Sequence, residues 1–203
     1  MFKNLFRNPS FLFLVAGNLY CIWYYQNNSN AFATVVWIYW FQSIIIGFFN
    51  FIDLLTIKNF DSGSMKLNGE PVTALNKGCT AWFFLVHYGF FHLGYAIFLL
   101  IDIGVWHVNS GILLLGVGSF LLEAIMSFYR QKQLEQTMKF NIGTLFFLPY
   151  VRIVPMHLMI LAPRFFGWQP SVVFLGLKMA ADIISFLIYQ NIYSKNKISS
   201  TVD

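Results

Sequence analysis

Six apolar runs divide the chain, at about 9–25, 31–57, 79–101, 111–129, 142–162 and 168–190. Each can cross a hydrocarbon core of ~30 Å at a helical rise of about 1.5 Å per residue. Runs of this kind have few structural options. They cannot face water around their whole circumference, and in lipid their backbone N–H and C=O groups must be paired internally, which a helix achieves and an open strand does not. They are continuously apolar rather than alternating, which excludes the strands of a transmembrane barrel. The breaks between them carry turn chemistry: Gln26 to Asn30, the polar stretch 58–78, His107 to Gly111, and Arg164 to Gly167. The expected fold is all-α, an integral membrane bundle of six transmembrane helices forming one domain over 1–203.

Composition agrees with that reading. Of the 203 residues 58% are hydrophobic and 10% charged, a balance opposite to that of a disordered chain and too poor in charge to cover a water-soluble globule. The 13 basic residues are scattered between apolar runs and form no basic face, so no nucleic-acid partner is expected. The expected partner is the lipid bilayer, with a membrane-protein partner or a second copy as further candidates. Cys21 and Cys79 fall at opposite ends of their spans and are not expected to pair.

The basic residues instead set the orientation. Lys3 and Arg7 precede the first run, Lys58, Lys66 and Lys77 lie in the second connection, Arg130, Lys132 and Lys139 in the fourth, and Lys195 and Lys197 in the C-terminal tail. Arg164 alone lies in the remaining connections. The asymmetry places both termini in the cytoplasm, N-in/C-in, in a multi-pass protein of the cell membrane. A signal peptide competes for the first run, because Ala31-Phe32-Ala33 mimics a cleavage site, but that triplet runs straight into the next apolar stretch and a retained helix is expected. In the long connection, Asn68-Gly69 can close a small hairpin; a mobile solvated loop is the expectation there.

The informative residues are those that lipid should exclude. A charge at a helix centre costs ~2.5–3.5 kcal/mol on insertion scales, so Glu123, Arg152, Lys178 and Asp182 are expected to face the bundle interior. Helical spacing groups polar residues into seams: Gln42 with Asp53, flanked by Asn50; Tyr88, His92 and Tyr95; Gly116, Ser119, Glu123 and Ser127; Tyr150 with His157; and Lys178, Asp182, Ser185 and Tyr189. For Gly116, Ser119, Ser127 and Ser185 the expected role is close helix packing. Lys178 and Asp182, four residues apart, can pair within one helix, which leaves Glu123 as the acid nearest in depth to Arg152. The candidate buried polar centre is therefore His92, His157, Arg152, Lys178, Asp182, Glu123, Gln42 and Tyr88.

Three readings of that centre stand open. His92 and His157 could share a transition metal, or haem, across two helices in a membrane-embedded redox enzyme. His87 and His92, about 140° apart on a helix, cannot share an ion without distortion, and His87, with apolar neighbours on its face, is expected to be structural. The tyrosines aligned with His92 and His157 are expected to hold their imidazoles in one tautomer. The second reading is a proton-coupled or small-solute transporter, in which Arg152 and Lys178 balance Glu123 and Asp182. The third is a scaffold or complex subunit whose charges lock helix pairing. Whether the protein is an enzyme stays undecided at this level.

Tyr39-Trp40 with Gln42, His87-Tyr88-Gly89 with His92, Pro149-Tyr150 with Arg152-Ile153 and His157, and Lys178 with Asp182 together resemble a family of small prokaryotic multi-pass membrane proteins of unknown function. The resemblance covers most of the chain. It implies an acidic residue where this chain has Gln42 and a histidine where it has Phe186, departures that thin a metal or proton site here. It implies no activity.

Overall fold

The computed structural model describes residues 8–28, 31–137, 139–167 and 172–199; within them the side chains of Arg152, of 155–156, of 159–164 and of 189–199 are outside the description. The described chain is mostly helical. Its six α-helices are α1 (Pro9–Asn27), α2 (Ala31–Thr56), α3 (Lys77–Phe98), α4 (Ser110–Glu135), α5 (Ile142–Phe166) and α6 (Val172–Ser199), and a π-helical turn, Leu99–Ile103, extends α3. Among the described residues three helical stretches are long and apolar enough to cross a membrane: Ala31–Thr56, Lys77–Ile103 and Ser110–Glu135.

Local chemistry sets the helix ends. Asn8, Asn109 and Asn141 each stand just before a helix and accept a hydrogen bond from a backbone N–H of its first turn. Pro9 opens α1, where a missing N–H costs nothing. Gly167 closes α5 in the left-handed conformation at φ 66°, which favours glycine.

The helices form a ring, α2–α4–α1–α6–α5, that closes back on α2, with α3 docked against α2 from outside. Small residues permit the close approaches. A Cβ on Gly116 of α4 would lie 2.7 Å from Ile38 Cδ1 of α2, and one on Gly47 of α2 would run into the Tyr88 ring of α3. Ser119 returns its hydroxyl to the Gly116 carbonyl at 2.8 Å.

Four two-residue strands decorate one end: β1 (Phe60–Asp61), β2 (Lys66–Leu67), β3 (Glu70–Pro71) and β4 (Phe140–Asn141). β2 and β3 pair antiparallel across Asn68-Gly69, both at positive φ (52° and 88°). This is the hairpin the dipeptide can encode, and it stands where a mobile solvated loop was expected. β1 pairs parallel with β4, which ties the connection after α2 to the one after α4. The same junction explains why α4 runs six residues past the expected end of its apolar run at 129. Lys132 bridges Asp53 of α2 and Glu135 at 2.9 Å each, and Glu135 accepts the Lys58 backbone N–H. These partners hold the polar end of α4 as helix.

Candidate functional site

Three clusters of buried polar side chains lie along α2, the helix that touches most of the others. The first is centred on Lys178 and Asp182, one turn apart on α6 and 2.6 Å from nitrogen to oxygen. Lys178 Nζ also donates to Gln42 Oε1 at 2.8 Å, while Gln42 Nε2 donates to Asp182 Oδ2 at 3.3 Å. The Gln42 amide is thereby oriented, its oxygen toward the cation and its nitrogen toward the anion. Asn18 of α1 gives Asp182 Oδ2 a further N–H at 3.0 Å, and its Nδ2 also bonds the Leu14 carbonyl at 2.9 Å. Lys178 Nζ lies 4.9 Å over the Tyr39 ring. The Lys178 and Asp182 side chains are 4% and 0% exposed. Cys21, a buried free thiol, neighbours Tyr39, and Cys79 is an exposed one, so the two cysteines do not pair.

The second cluster joins α2 to α3. His92 Nδ1 lies 2.9 Å from the Tyr88 carbonyl, which can only accept, so Nδ1 carries the proton. Nε2 of the neutral ring then accepts from Ser43 Oγ at 2.8 Å. Tyr88 stacks on His92 with centroids 4.3 Å apart and sends its hydroxyl to the Ser43 carbonyl at 2.9 Å. A tyrosine therefore does flank His92, but Ser43 holds the imidazole. Trp40 Nε1 bonds the His92 carbonyl at 3.1 Å.

His157 meets this cluster from α5. Its ring packs edge-on against Tyr95 at 4.6 Å, one turn along α3 from His92. The expected link from Tyr150 to His157 does not form. The Tyr150 hydroxyl bonds His87 Nδ1 at 2.8 Å, and His157 Nδ1 donates to its own Ile153 carbonyl at 2.9 Å. Seven residues set the two about 10 Å apart along α5, and the crossing of α3 and α5 brings Tyr150 level with Phe84 and His87 rather than with His92. His87 is consequently an exposed histidine with a polar partner.

The third cluster lies nearer the stranded end. Asn50, Asp53, Glu123, Ser127 and Gln131 line a half-open cavity of about 80 Å³ between α2 and α4, closed on its other side by Leu148 and Pro149 of α5 and Phe186 of α6. Asp53 is bridged by Lys132 and accepts from Gln131. Glu123 is 4% exposed. Asn50 is 5% exposed, and neither its Oδ1 nor its Nδ2 has a hydrogen-bond partner among the described residues. The side chain of Arg152 lies outside the described residues, and its expected partnership with Glu123 with it.

The donor set fits a metal or haem iron poorly. Both His92 nitrogens are already hydrogen-bonded, so ligation would displace the Ser43 hydroxyl. Among the described residues no three His, Cys, Asp or Glu side chains converge as a metal cage.

Sequence reasoning missed Asn18 and Ser43. Asn18 carried a signal, as a lone amide in the middle of an apolar run. Ser43 carried almost none, since a small hydroxyl in a membrane helix usually serves packing.

The model of DUF6498, a family of unknown function, matches residues 1–195, and the chain belongs to that family. No curated protein matches the chain. No solved structure matches it.

Proposed function

We propose, from membership in a family without an assigned activity, that this chain is a six-span integral membrane protein with both termini cytoplasmic. Its buried centre locks the helices together as the scaffold of a membrane assembly rather than serving as a reaction site. The observation that carries this reading is the charge compensation of the Lys178–Asp182 pair. The cation has a carboxylate, an amide oxygen and an aromatic face, and one carboxylate oxygen accepts from Lys178, Gln42 and Asn18. With side chains 4% and 0% exposed, the pair offers no surface to a substrate. A lone charge there would be costly in lipid, whereas a compensated one fixes which helices pack.

Two observations support the membrane part. Large apolar side chains cover the outside of the helices, among them Phe90, Leu93, Ile101, Leu114 and Leu122, each more than half exposed. The β1–β4 pairing joins two Lys-rich connections at one end of the bundle, as a shared cytoplasmic side requires.

A second reading draws on the Asn50 cavity. An orphaned buried amide beside Glu123 and Asp53 suits a few waters, and such a vestibule would serve proton or small-solute passage. Proteoliposomes with a trapped pH dye separate the two. Scaffolding expects no proton leak above that of empty vesicles, and expects Lys178→Met/Asp182→Leu to insert and purify as a species of the same size. A leak that disappears in Glu123→Gln, which alters the cavity itself, would overturn scaffolding in favour of transport.

A further inference from the structure

Because α3 packs chiefly on α2, a groove of about 400 Å³ stays open between α3 and α5. Its size lies within the ~300–1,000 Å³ of small-molecule sites. His87 and Phe91 of α3 form one wall, and Tyr150, Ile153 and His157 of α5 form the other. Phe91, Val154 and Leu158 on its rim are 43%, 57% and 41% exposed, so the groove opens sideways on the outside of the bundle. On the membrane reading above, that mouth meets hydrocarbon rather than water.

Its chemistry narrows the occupant. His157 Nδ1 donates to the Ile153 carbonyl, which leaves Nε2 of the neutral ring as a bare acceptor. No described residue bonds that nitrogen, and unlike the sealed hydroxyls of Tyr39 and Ser185 it keeps accessible surface. An unpaired acceptor is costly in hydrocarbon. An acyl chain has no donor to offer it, whereas a hydroxyl has. His87 is an exposed imidazole in the middle of α3; its Nδ1 shares a hydrogen bond with the Tyr150 hydroxyl, and its Nε2 has no partner among the described residues. Ionisable groups on the outside of a span are rare and mark function. No charged Lys, Arg, Asp or Glu is among the described lining residues, and Phe91 and Tyr150 set aromatic rings against His87 at 5.1 and 5.7 Å. The groove therefore suits a neutral, aromatic molecule. Tyr150, which marks the His87 end, and His157 stand about 10 Å apart along α5. A six-membered ring with an oxygen at each end, and a hydrogen bond of ~2.8 Å from each oxygen, spans about that length.

We propose that this groove binds a membrane-soluble quinol, an aromatic ring with two opposed hydroxyls on an apolar tail, entering sideways from the bilayer. One hydroxyl donates to His157 Nε2. The other meets His87 Nε2, and because a hydroxyl both donates and accepts it suits that nitrogen in either tautomer. The tail leaves over Val154 and Leu158. The oxidised quinone carries acceptors only and leaves His157 Nε2 unpaired, so the site favours the reduced form. The inference rests on the membrane reading above and leaves the Lys178–Asp182 centre its structural role.

Isothermal titration calorimetry of the detergent-solubilised full chain under argon, with the heats of empty micelles subtracted, tests this. The probes are tetramethylhydroquinone, the corresponding quinone and the dimethyl ether of the quinol. One hydrogen bond corresponds to about fivefold in affinity. The quinol should therefore bind about fivefold more tightly than the quinone or the ether. His157→Phe, which keeps a ring against Tyr95, should bring the quinol down to the level of the ether. His107→Phe removes an imidazole outside the groove and should change nothing. Equal affinity for the three probes, or no binding of the quinol, overturns the proposal, and this comparison on the wild type stands whether or not His157→Phe folds. Equal loss in His107→Phe and His157→Phe overturns it as well. Decanol bound as tightly as the quinol, with the same His157 dependence, overturns the aromatic diol in favour of a lipid alcohol. Alkaline carbonate extraction of the source membranes addresses the membrane reading alone. Protein that stays in the pellet but binds no quinol refutes the groove, and protein released to the supernatant refutes the spans.

Discussion

Replacing Asp182 by Asn removes one negative charge and leaves the Lys178 ammonium buried with Gln42 Oε1 and the Tyr39 face as its neighbours. At the observed 2.6 Å separation, and with an effective dielectric of about 20, the lost attraction is about 6 kcal/mol. The Asn18 and Gln42 N–H groups also exchange a charged acceptor for a neutral one. Part of that loss is recovered as Lys178 sheds its proton or reaches for water, so the expected net cost is ~3–5 kcal/mol. Lys178→Met should cost a similar amount, because it strands the carboxylate. The double variant Lys178→Met/Asp182→Leu leaves no charge to strand. It should lie within ~1–2 kcal/mol of the wild type, as apolar replacements of buried pairs do. The coupling energy of the cycle is then ~4 kcal/mol or more, and each single variant should melt ~6–20 °C below the wild type for a chain of this size. Thermal unfolding in detergent, followed by intrinsic tryptophan fluorescence, measures all four corners. Additive losses, with the double variant as unstable as the two singles together, would refute the view that the pair is one charge-compensated unit.

Ser43→Ala should cost ~1–3 kcal/mol, read by the same melts, because His92 Nε2 loses its partner while the Tyr88 hydroxyl keeps the Ser43 carbonyl. A loss under ~0.5 kcal/mol would show that the hydroxyl is not what holds the imidazole. Gly47→Ala should cost ~1–3 kcal/mol by driving a methyl into the Tyr88 ring, and Tyr88→Leu in the same chain should restore part of it. For orientation, Ser62→Cys and Ser110→Cys, each in a Cys79→Ser background because Cys79 is exposed, should react with an impermeant maleimide from opposite faces of sealed vesicles. Labelling from the same face would sink the six-span topology.

The helices were legible in the sequence because their signal is local. A long apolar helix is a matter of run length, and five of the six described helices begin within two residues of their apolar runs. The Lys178–Asp182 pair was legible for the same reason, since four residues on one helix bring two side chains together whatever the rest of the chain does. The hairpin was legible too. Asn68-Gly69 encodes its turn, and a loop was expected instead because two-residue strands carry almost no alternation to read.

The partners of these residues were decided only by the tertiary structure. Gln42 is 140 residues from Asp182 and Asn18 is 164, and which amide reaches the carboxylate depends on how α1 and α2 pack around α6. Tyr150 illustrates the limit most clearly. Its position on α5 aligned it with His157, seven residues on along the same face, yet its hydroxyl went to His87. Periodicity within a helix says which residues share a face. The crossing of two helices, set by the rings of Phe84, Phe146 and Tyr150 between α3 and α5, says which residue of the next helix that face will meet.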